Sequence, residues 1–175
     1  MQETVHRIKV GRWQYEYRHV DLVVPVFALL LRLSLGFIFI WAGFDKLITD
    51  FTAKGFLINA TSGPLKDLFV RLGENQTALT VIDPLVVWGQ ILIGFSLILG
   101  LFTRFGLLMG AVQMFIFYLA QLWPEFNPFL DEHIVYILVM ALLGALGAGR
   151  ILGLDALIER WEPVKRTPAL QYALG

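Results

Sequence analysis

The sequence predicts an all-α integral membrane protein, a four-helix bundle with an external amphipathic helix in its first loop. Hydrophobic residues make up 57% of the 175 residues, charged residues only 16%, and the mean hydropathy is +0.68. Ordinary soluble domains are about 45–50% apolar, and a soluble chain of this length would not bury so large an apolar surface. The apolar residues also fall into four segments close to the length of about 20 residues that spans a bilayer.

The four segments are separated by residues that end helices or favour water. They run over about 23–44, 84–102, 105–123 and 134–152. Asp45 and Lys46 follow the first segment, and Thr103 with Arg104 separates the second from the third. We therefore predict three parts, which are a leader over 1–20, a membrane domain over 21–158 with an external loop at 45–83, and a tail over 159–175.

The basic residues predict that the leader and the tail both lie in the cytoplasm. The leader contains Arg7, Lys9, Arg12 and Arg18, and the end of the chain contains Arg150, Arg160, Lys165 and Arg166. The connection over 123–133 has no Lys or Arg but holds Glu125, Asp131 and Glu132. Because cytoplasmic connections are enriched in Lys and Arg, we expect a multi-pass protein of the cell membrane with this connection outside.

The first loop contains a second helical pattern. In GPLKDLFVRLGENQ, residues 63–76, leucine and phenylalanine recur at helical spacing opposite charged residues, and Pro64 suits a first helical turn. We expect an amphipathic helix on the outer membrane surface or across the end of the bundle. A stabilising helix and a substrate lid remain alternative roles.

Charge and composition exclude several classes of function. Lys and Arg together number 14, as do Asp and Glu, so net charge favours no nucleic-acid partner. The chain has no cysteine, which excludes a disulfide framework, a thiolate metal site and a cysteine nucleophile. Haem is disfavoured because His6 and His19 lie in the leader and cannot pair with His133 across the bundle. We expect no haem and no metal.

Arg32 interrupts the first apolar segment, LLLRLSLGFIFIWAGFDKL. At about 1.5 Å per residue, Arg32 lies near the bilayer centre, at a depth similar to that of Gln90 and Gln113. A buried arginine in lipid costs several kcal/mol unless it faces the bundle and finds acceptors. We predict a polar seam that opens to the outer side through Lys46, Asp83 and His133, although the two glutamines would also suit simple interhelical hydrogen bonds.

Three stretches carry a resemblance to a known family. LRLSLGFIFIWAGFDKL, GQILIGFSLILGLFTRFG and GAGRILGLDALI resemble the DoxX/DoxD superfamily of small four-helix membrane proteins, over roughly residues 28–158. The length and the elaborated first loop are most similar to the DoxD branch, the membrane subunit of thiosulfate:quinone oxidoreductase. Arg32 and Lys46 match basic positions of that family, and Arg150 and Asp155 match its closing motif. Gln90 departs from the glutamate of many relatives.

The resemblance implies that two thiosulfate anions are coupled to tetrathionate and that the electrons pass to a membrane quinone. It also implies a DoxA-like partner subunit or a respiratory oxidase, and an archaeal or bacterial cell membrane. An anion needs positive charge, so the expected catalytic residues are Lys46 and His133 at the outer end and Arg32 at the inner end. A non-covalently bound quinone needs hydrogen bonds and a flat apolar slot. The expected quinone-binding residues are Gln90, Gln113, Tyr118, Tyr136 and Trp41.

Two other functions remain open from the sequence. One is a non-catalytic membrane subunit that assembles or stabilises a respiratory complex, in which each polar residue has a structural role. The other is a carrier of a small anion, which is weaker because the chain shows no repeat and no broken helix.

Overall fold

The computed structural model describes residues 3–10, 13–124 and 127–174, and for residues before 21 and for residue 169 it describes the backbone. Helices dominate the fold. In chain order the elements are β1 (Glu3–Val10), β2 (Trp13–Val20), α1 (Val23–Ile48), α2 (Lys54–Asn59), α3 (Lys66–Glu74), α4 (Gln76–Leu99), α5 (Thr103–Ala120), α6 (Glu132–Leu146), α7 (Asp155–Ile158), α8 (Glu162–Lys165) and α9 (Pro168–Ala173). Short 3-10 turns lie at Gly63–Leu65 and Ala148–Arg150.

The long apolar helices confirm the predicted helical membrane bundle. By length and composition, α1, α4 and α5 are able to cross a membrane. The fourth predicted segment is also an apolar helix, but α6 has 15 residues, fewer than the roughly 20 that span a bilayer at right angles. It ends at Leu146 and not at 152, because Gly147 takes a left-handed conformation with φ of 63°, which terminates a helix without steric cost.

The second apolar segment also differs from its predicted bounds. Helix α4 begins at Gln76 rather than Pro84, because the side chain of Asn75 accepts hydrogen bonds from the backbone of Thr77 and Ala78. This is a strong N-terminal cap. Asp83, predicted to lie before the helix, therefore lies inside it, and its carboxylate accepts a hydrogen bond of 2.8 Å from Ala53 N. That bond fixes the first loop to α4.

The predicted amphipathic helix is α3, which caps one end of the bundle. Its residue Phe69 is buried with Leu57 of α2, Leu79 of α4 and Ala120 of α5 in a small hydrophobic cluster. Leu68, which precedes Phe69 in α3, is exposed. Because one face of α3 packs against α2 and the long helices, the role as a stabilising cap has structural support.

The four long apolar helices pack in pairs, α1 against α4 and α5 against α6. Glycines bring α1 and α4 together. A Cβ added to Gly94 would lie 2.6 Å from Ile40 N, and one added to Gly36 would lie 2.9 Å from the side chain of Ile98. Such close approach requires small residues. Helices α4 and α5 pack less closely, and a groove lies between them.

An antiparallel hairpin precedes the helical domain. Strand β1 pairs with β2 in a register that places Glu3 opposite Val20 and Val10 opposite Trp13. We did not predict strands in the leader, although Trp13, Tyr15 and Tyr17 alternate with polar residues, a pattern typical of a strand. Residues 1–2, 11–12, 125–126 and 175 lie outside the description, and with them Arg12 and Glu125 of the orientation argument.

Candidate functional site: two spaces and a charged latch

Arg32 is buried at the end of the bundle where α6 terminates. Its side chain is 1% exposed, and Nη1 donates hydrogen bonds to Ala148 O and, at 3.0 Å, to Ile151 O. Side chains on a helix lean toward its N-terminus. The guanidinium of Arg32 therefore lies nearer the N-terminal end of α1 than the Cα of Arg32 does. In the described part of the chain these bonds go to the turn after α6 and not to Gln90 or Gln113, and the predicted seam does not form around Arg32.

Asp155 is buried in the same region as Arg32. It binds backbone N–H groups, whereas Arg32 binds backbone carbonyls. It is 0% exposed and accepts hydrogen bonds from Phe102 N at 2.7 Å and Thr103 N at 3.0 Å, the start of α5. Arg32 and Asp155 meet the same turn, because Arg32 bonds Ala148 O and Asp155 Oδ2 lies where a Cβ on Gly149 would be. The carboxylate stabilises the positive end of α5, while the guanidinium stabilises carbonyls that follow α6. We call this pair the Arg32–Asp155 latch.

Glycines make room for the latch. A Cβ on Gly100, whose φ is 63°, would lie 2.9 Å from Arg32 Nη1, and one on Gly153 would lie 3.0 Å from the same atom. A Cβ on Gly149 would collide with Asp155 Oδ2 and Thr103 Oγ1. Backbone bonds from Leu154 N to Leu99 O and from Asp155 N to Gly100 O close the same region. These contacts explain the closing sequence GAGRILGLD as a structural element.

Arg150 and Glu159 form a second charged pair outside the long helices. Arg150 Nε donates to Glu159 Oε2 at 2.8 Å, and Arg150 Nη2 donates to Glu159 Oε1. This fork-like pairing lowers the pKa of Glu159 and raises that of Arg150 through the hydrogen bond they share. The pair thus fixes the turn after α6 to Glu159, the first residue of the predicted tail.

Lys46 and His133, the other two predicted catalytic residues, lie near the opposite ends of α1 and α6 from the latch. Lys46 Nζ donates to Ala42 O at 3.2 Å and lies 5.5 Å from the centre of the Phe51 ring. His133 Nδ1 lies 2.8 Å from Asp131 Oδ2. Each of the two residues is thus held by its own neighbours, and their use in anion binding stays a prediction.

The surroundings of His133 are acidic. Ligand atoms of Asp131, Glu132 and His133 lie within 4.8 Å of one another, a spacing compatible with a cation. Asp131, however, already binds His133 and caps the start of α6 by accepting from Ile134 N at 3.2 Å. Those bonds account for its position without an ion.

An apolar groove of about 800 Å³ runs between α4 and α5. We call it the α4–α5 groove. Its walls are formed by side chains such as Ile82, Val86, Phe95, Met109, Val112 and Ile116, with Phe69 and Leu72 of α3 at one end. The groove exists partly because position 89 has no side chain. A Cβ added to Gly89 would meet Gln113 Nε2 at 4.0 Å and no other described atom within that distance, apart from its own helix.

Gln113 supplies an amide to this apolar lining. Its Oε1 is buried, and no donor in the described part of the chain reaches it. A buried acceptor without a donor costs free energy, about 1–3 kcal/mol. Gln113 is therefore a polar side chain of the groove lining whose amide oxygen the described residues leave without a donor.

Gln90 and Tyr136 face a different space. They line a half-open crevice of about 40 Å³, together with Phe39, Ala42, Met114 and the exposed Ile38. The structure therefore brings Gln90 and Tyr136 together and separates both from the α4–α5 groove, which Gln113 lines.

The two remaining predicted quinone residues lie outside both spaces. The Tyr118 hydroxyl donates to Phe129 O at 2.9 Å. Trp41 is 67% exposed and stacks on Phe37 with ring centres 6.1 Å apart. Both stay predictions for quinone binding.

Gly89, which shapes the groove, was not predicted from the sequence. The signal that could have revealed it was a glycine directly beside Gln90 within an apolar helix.

The fold and these sites define a class, which is a small helical membrane protein whose helix ends are bound by the side chains of a buried arginine and a buried aspartate. The model of the DoxX family matches residues 27–123, more than half of the chain, and the protein belongs to that family. No curated protein and no solved structure matches the chain significantly. The matched range contains Arg32, Gln90 and Gln113 and ends before α6 and Asp155.

Proposed function

We propose that the protein is the membrane subunit of a redox system, that it binds a quinone in the α4–α5 groove, and that the electrons come from a reduced sulfur anion. The observation that carries the proposal is the amide of Gln113 in the lining of an apolar groove of about 800 Å³, where Oε1 has no donor among the described residues. Thiosulfate as the donor rests on the resemblance to the DoxD branch, as does a DoxA-like partner.

The groove suits a quinone in size and in chemistry. Its volume lies within the roughly 300–1,000 Å³ typical of small-molecule sites, and its apolar walls match an isoprenoid tail. Gln113 Nε2 is able to donate to a quinone carbonyl, and Gln113 Oε1 is able to accept from the hydroxyl of the reduced form. A lipid chain alone would fill the walls but would leave Gln113 Oε1 without a donor.

A bound quinone supplies a two-electron acceptor, and the oxidation of two thiosulfate anions to tetrathionate releases two electrons. The residues of this chain would orient the ring through Gln113 and keep it out of water through the apolar walls. Lys46 and His133 remain the residues proposed for the anion. Asp131 and Glu132 oppose an anion there by charge, so the donor site has less support than the quinone site.

The proposal is tested by thiosulfate-dependent reduction of a short-chain quinone in membranes that contain the protein and its co-purifying subunits. We expect Gln113→Leu to lower the rate at least tenfold, because the leucine cannot bond the ring. Gln76→Leu is the matched control, since Gln76 is exposed at the start of α4, and it should keep the native rate. Equal rates for the native chain and Gln113→Leu would contradict the proposal.

A second function, the assembly or stabilisation of a respiratory complex without catalysis, is favoured by one observation. Arg32, the strongest catalytic candidate from the sequence, is bound by backbone carbonyls of its own chain. Under this function the membranes would show no thiosulfate-dependent reduction, and deletion of the protein would remove a neighbouring complex from the membrane.

A further inference from the structure

Helix α7 and the turn before it expose apolar side chains at the end of the bundle that holds the latch. Leu152 is 86% exposed, Leu157 62% and Trp161 66%. Backbone bonds from Leu157 N to Leu154 O and from Trp161 N to Ile158 O keep the chain helical from 154 to 161. At this spacing Leu154, Leu157 and Trp161 share one side of the helix. We call these three residues and Leu152 the α7 face.

The burial pattern of α7 is the reverse of that on a soluble domain. The carboxylate of Asp155 is fully buried and binds the start of α5. Leu154 and Leu157, on the α7 face, are exposed. A surface helix of a soluble domain turns its apolar side chains inward and its charged side chains outward. The α7 face therefore suits apolar surroundings rather than water.

Leu152 supports the same conclusion independently. Its φ is 50°, a left-handed conformation that glycine adopts readily and leucine seldom does. The side chain also packs very little on the protein, since most of its surface is exposed. A leucine at this position is thus unfavourable in water, and it becomes favourable where something apolar covers it.

The lipid-facing surface of the bundle continues onto the α7 face. Leu154 N donates to Leu99 O at the end of α4, and Leu99 is itself exposed, as is Phe102 beside it. Helix α4 is able to cross a membrane, and its 24 residues extend over about 36 Å, more than the roughly 30 Å of the hydrocarbon core. Its end, and α7 with it, therefore lies at the bilayer edge, the level that an exposed ring such as Trp161 prefers.

The charges next to the α7 face complement an anionic surface. Arg160 and Arg166 are exposed, and neither pairs with an acidic side chain among the described residues. Glu159 and Glu162, the acidic side chains beside them, are each paired with a basic residue. The charge left over on this segment is positive, and basic side chains at a membrane edge attract anionic lipid headgroups.

We propose that the α7 face inserts into the interfacial layer of the bilayer and that Arg160 and Arg166 bind anionic lipid headgroups there. The segment lies in the plane of the membrane surface, as amphipathic interfacial helices do. Asp155 holds α7 from the bundle side, and lipid holds it from the other side. The proposal holds whether or not the α4–α5 groove binds a quinone.

The test uses the absence of cysteine from the chain, which lets one introduced cysteine carry a nitroxide label. Leu157→Cys and Glu162→Cys are labelled in the full-length protein, in vesicles of three parts phosphatidylcholine to one part phosphatidylglycerol. Glu162 is the matched control because its side chain, 66% exposed, is about as open as Leu157. Electron paramagnetic resonance measures how often each label collides with oxygen, which concentrates in lipid, and with a neutral nickel chelate, which stays in water.

We expect the ratio of oxygen to nickel collisions to be several-fold higher for the label at 157 than for the label at 162. Equal ratios would place the α7 face in water and overturn the proposal. Low collision rates with both reagents at 157 would overturn it as well, because they would show that a partner protein or a second copy of this chain covers the face.

The charged contacts are tested with the same label at Leu157 in vesicles with and without phosphatidylglycerol. We expect the anionic lipid to raise the oxygen-to-nickel ratio, and Arg160→Gln together with Arg166→Gln to abolish most of that rise. Lys66→Gln with Arg71→Gln is the control, since these basic residues are exposed on α3 at the opposite end of the bundle, and it should keep the native response. An equal response with and without Arg160 and Arg166 would refute their binding of anionic headgroups.

Discussion

At the scale of single residues, Arg32 shows what a sequence reveals about a buried charge and what it conceals. Burial and an inward direction were predictable, because an arginine facing lipid would be costly. Its partners were not predictable, because the depth of a Cα does not give the position of a guanidinium at the end of a flexible side chain. The structure places that group on Ala148 O and Ile151 O.

The latch predicts a stability defect in Arg32→Gln. A buried carbonyl left without its donor costs about 1–3 kcal/mol, and Arg32→Gln removes the guanidinium that Ala148 O and Ile151 O share. We expect a large fall in the thermal midpoint of unfolding in detergent, and poor accumulation in membranes. An Arg32→Gln protein with the native midpoint but without activity would instead support the catalytic role predicted from sequence.

At the scale of elements, the apolar segments were predictable and several helix ends were not. Mean hydropathy and spacing located all four segments, since these signals extend over many residues. The start of α4 and the end of α6 depend on single residues, the capping side chain of Asn75 and the left-handed Gly147, and such local signals are easily overlooked beside Pro84 or a continuing apolar run.

Two glycines near the end of α6 should respond in opposite ways to alanine. A Cβ at Gly149 would collide with the carboxylate of Asp155, so Gly149→Ala should destabilise the protein by about 1–3 kcal/mol. A Cβ at Gly144 would lie 3.8 Å from Leu107 Cδ1, an ordinary contact. Gly144→Ala should therefore be neutral or stabilising by about 0.5–1 kcal/mol. Equal effects on the free energy of unfolding would refute the close packing of the latch.

The stability that the Arg150–Glu159 pair contributes should depend on pH. This pair connects the turn after α6 to the residue that follows α7. Because the pKa of Glu159 is lowered from its ordinary value of 4.5 in the folded protein, its contribution to stability is present above that value and disappears as pH falls through the folded pKa. The thermal midpoint should therefore fall less steeply with acid in Glu159→Gln than in the native protein. Identical acid profiles would show that the pair has no energetic role.

At the scale of the whole molecule, tight and loose helix packing divide the bundle into a structural part and a ligand-accessible part. Glycines pack α1 against α4, Arg32 joins α1 to the turn after α6, and Asp155 joins α7 to the start of α5. The α4–α5 groove lies on the looser seam. The sequence placed Gln113 at a central depth, but it could not show the groove, because a gap between two helices depends on how both are oriented.

The measurement that tests the quinone site most directly is the affinity of the purified protein for a short-chain quinone, compared with that of Gly89→Leu. A leucine at position 89 would project into the α4–α5 groove without disturbing close packing. Gly55→Leu is the matched control, because a Cβ at Gly55 meets no described atom within 4 Å and Gly55 lies outside the groove. We predict at least a tenfold loss of affinity for Gly89→Leu and none for Gly55→Leu. Native affinity in Gly89→Leu would contradict a quinone site in this groove.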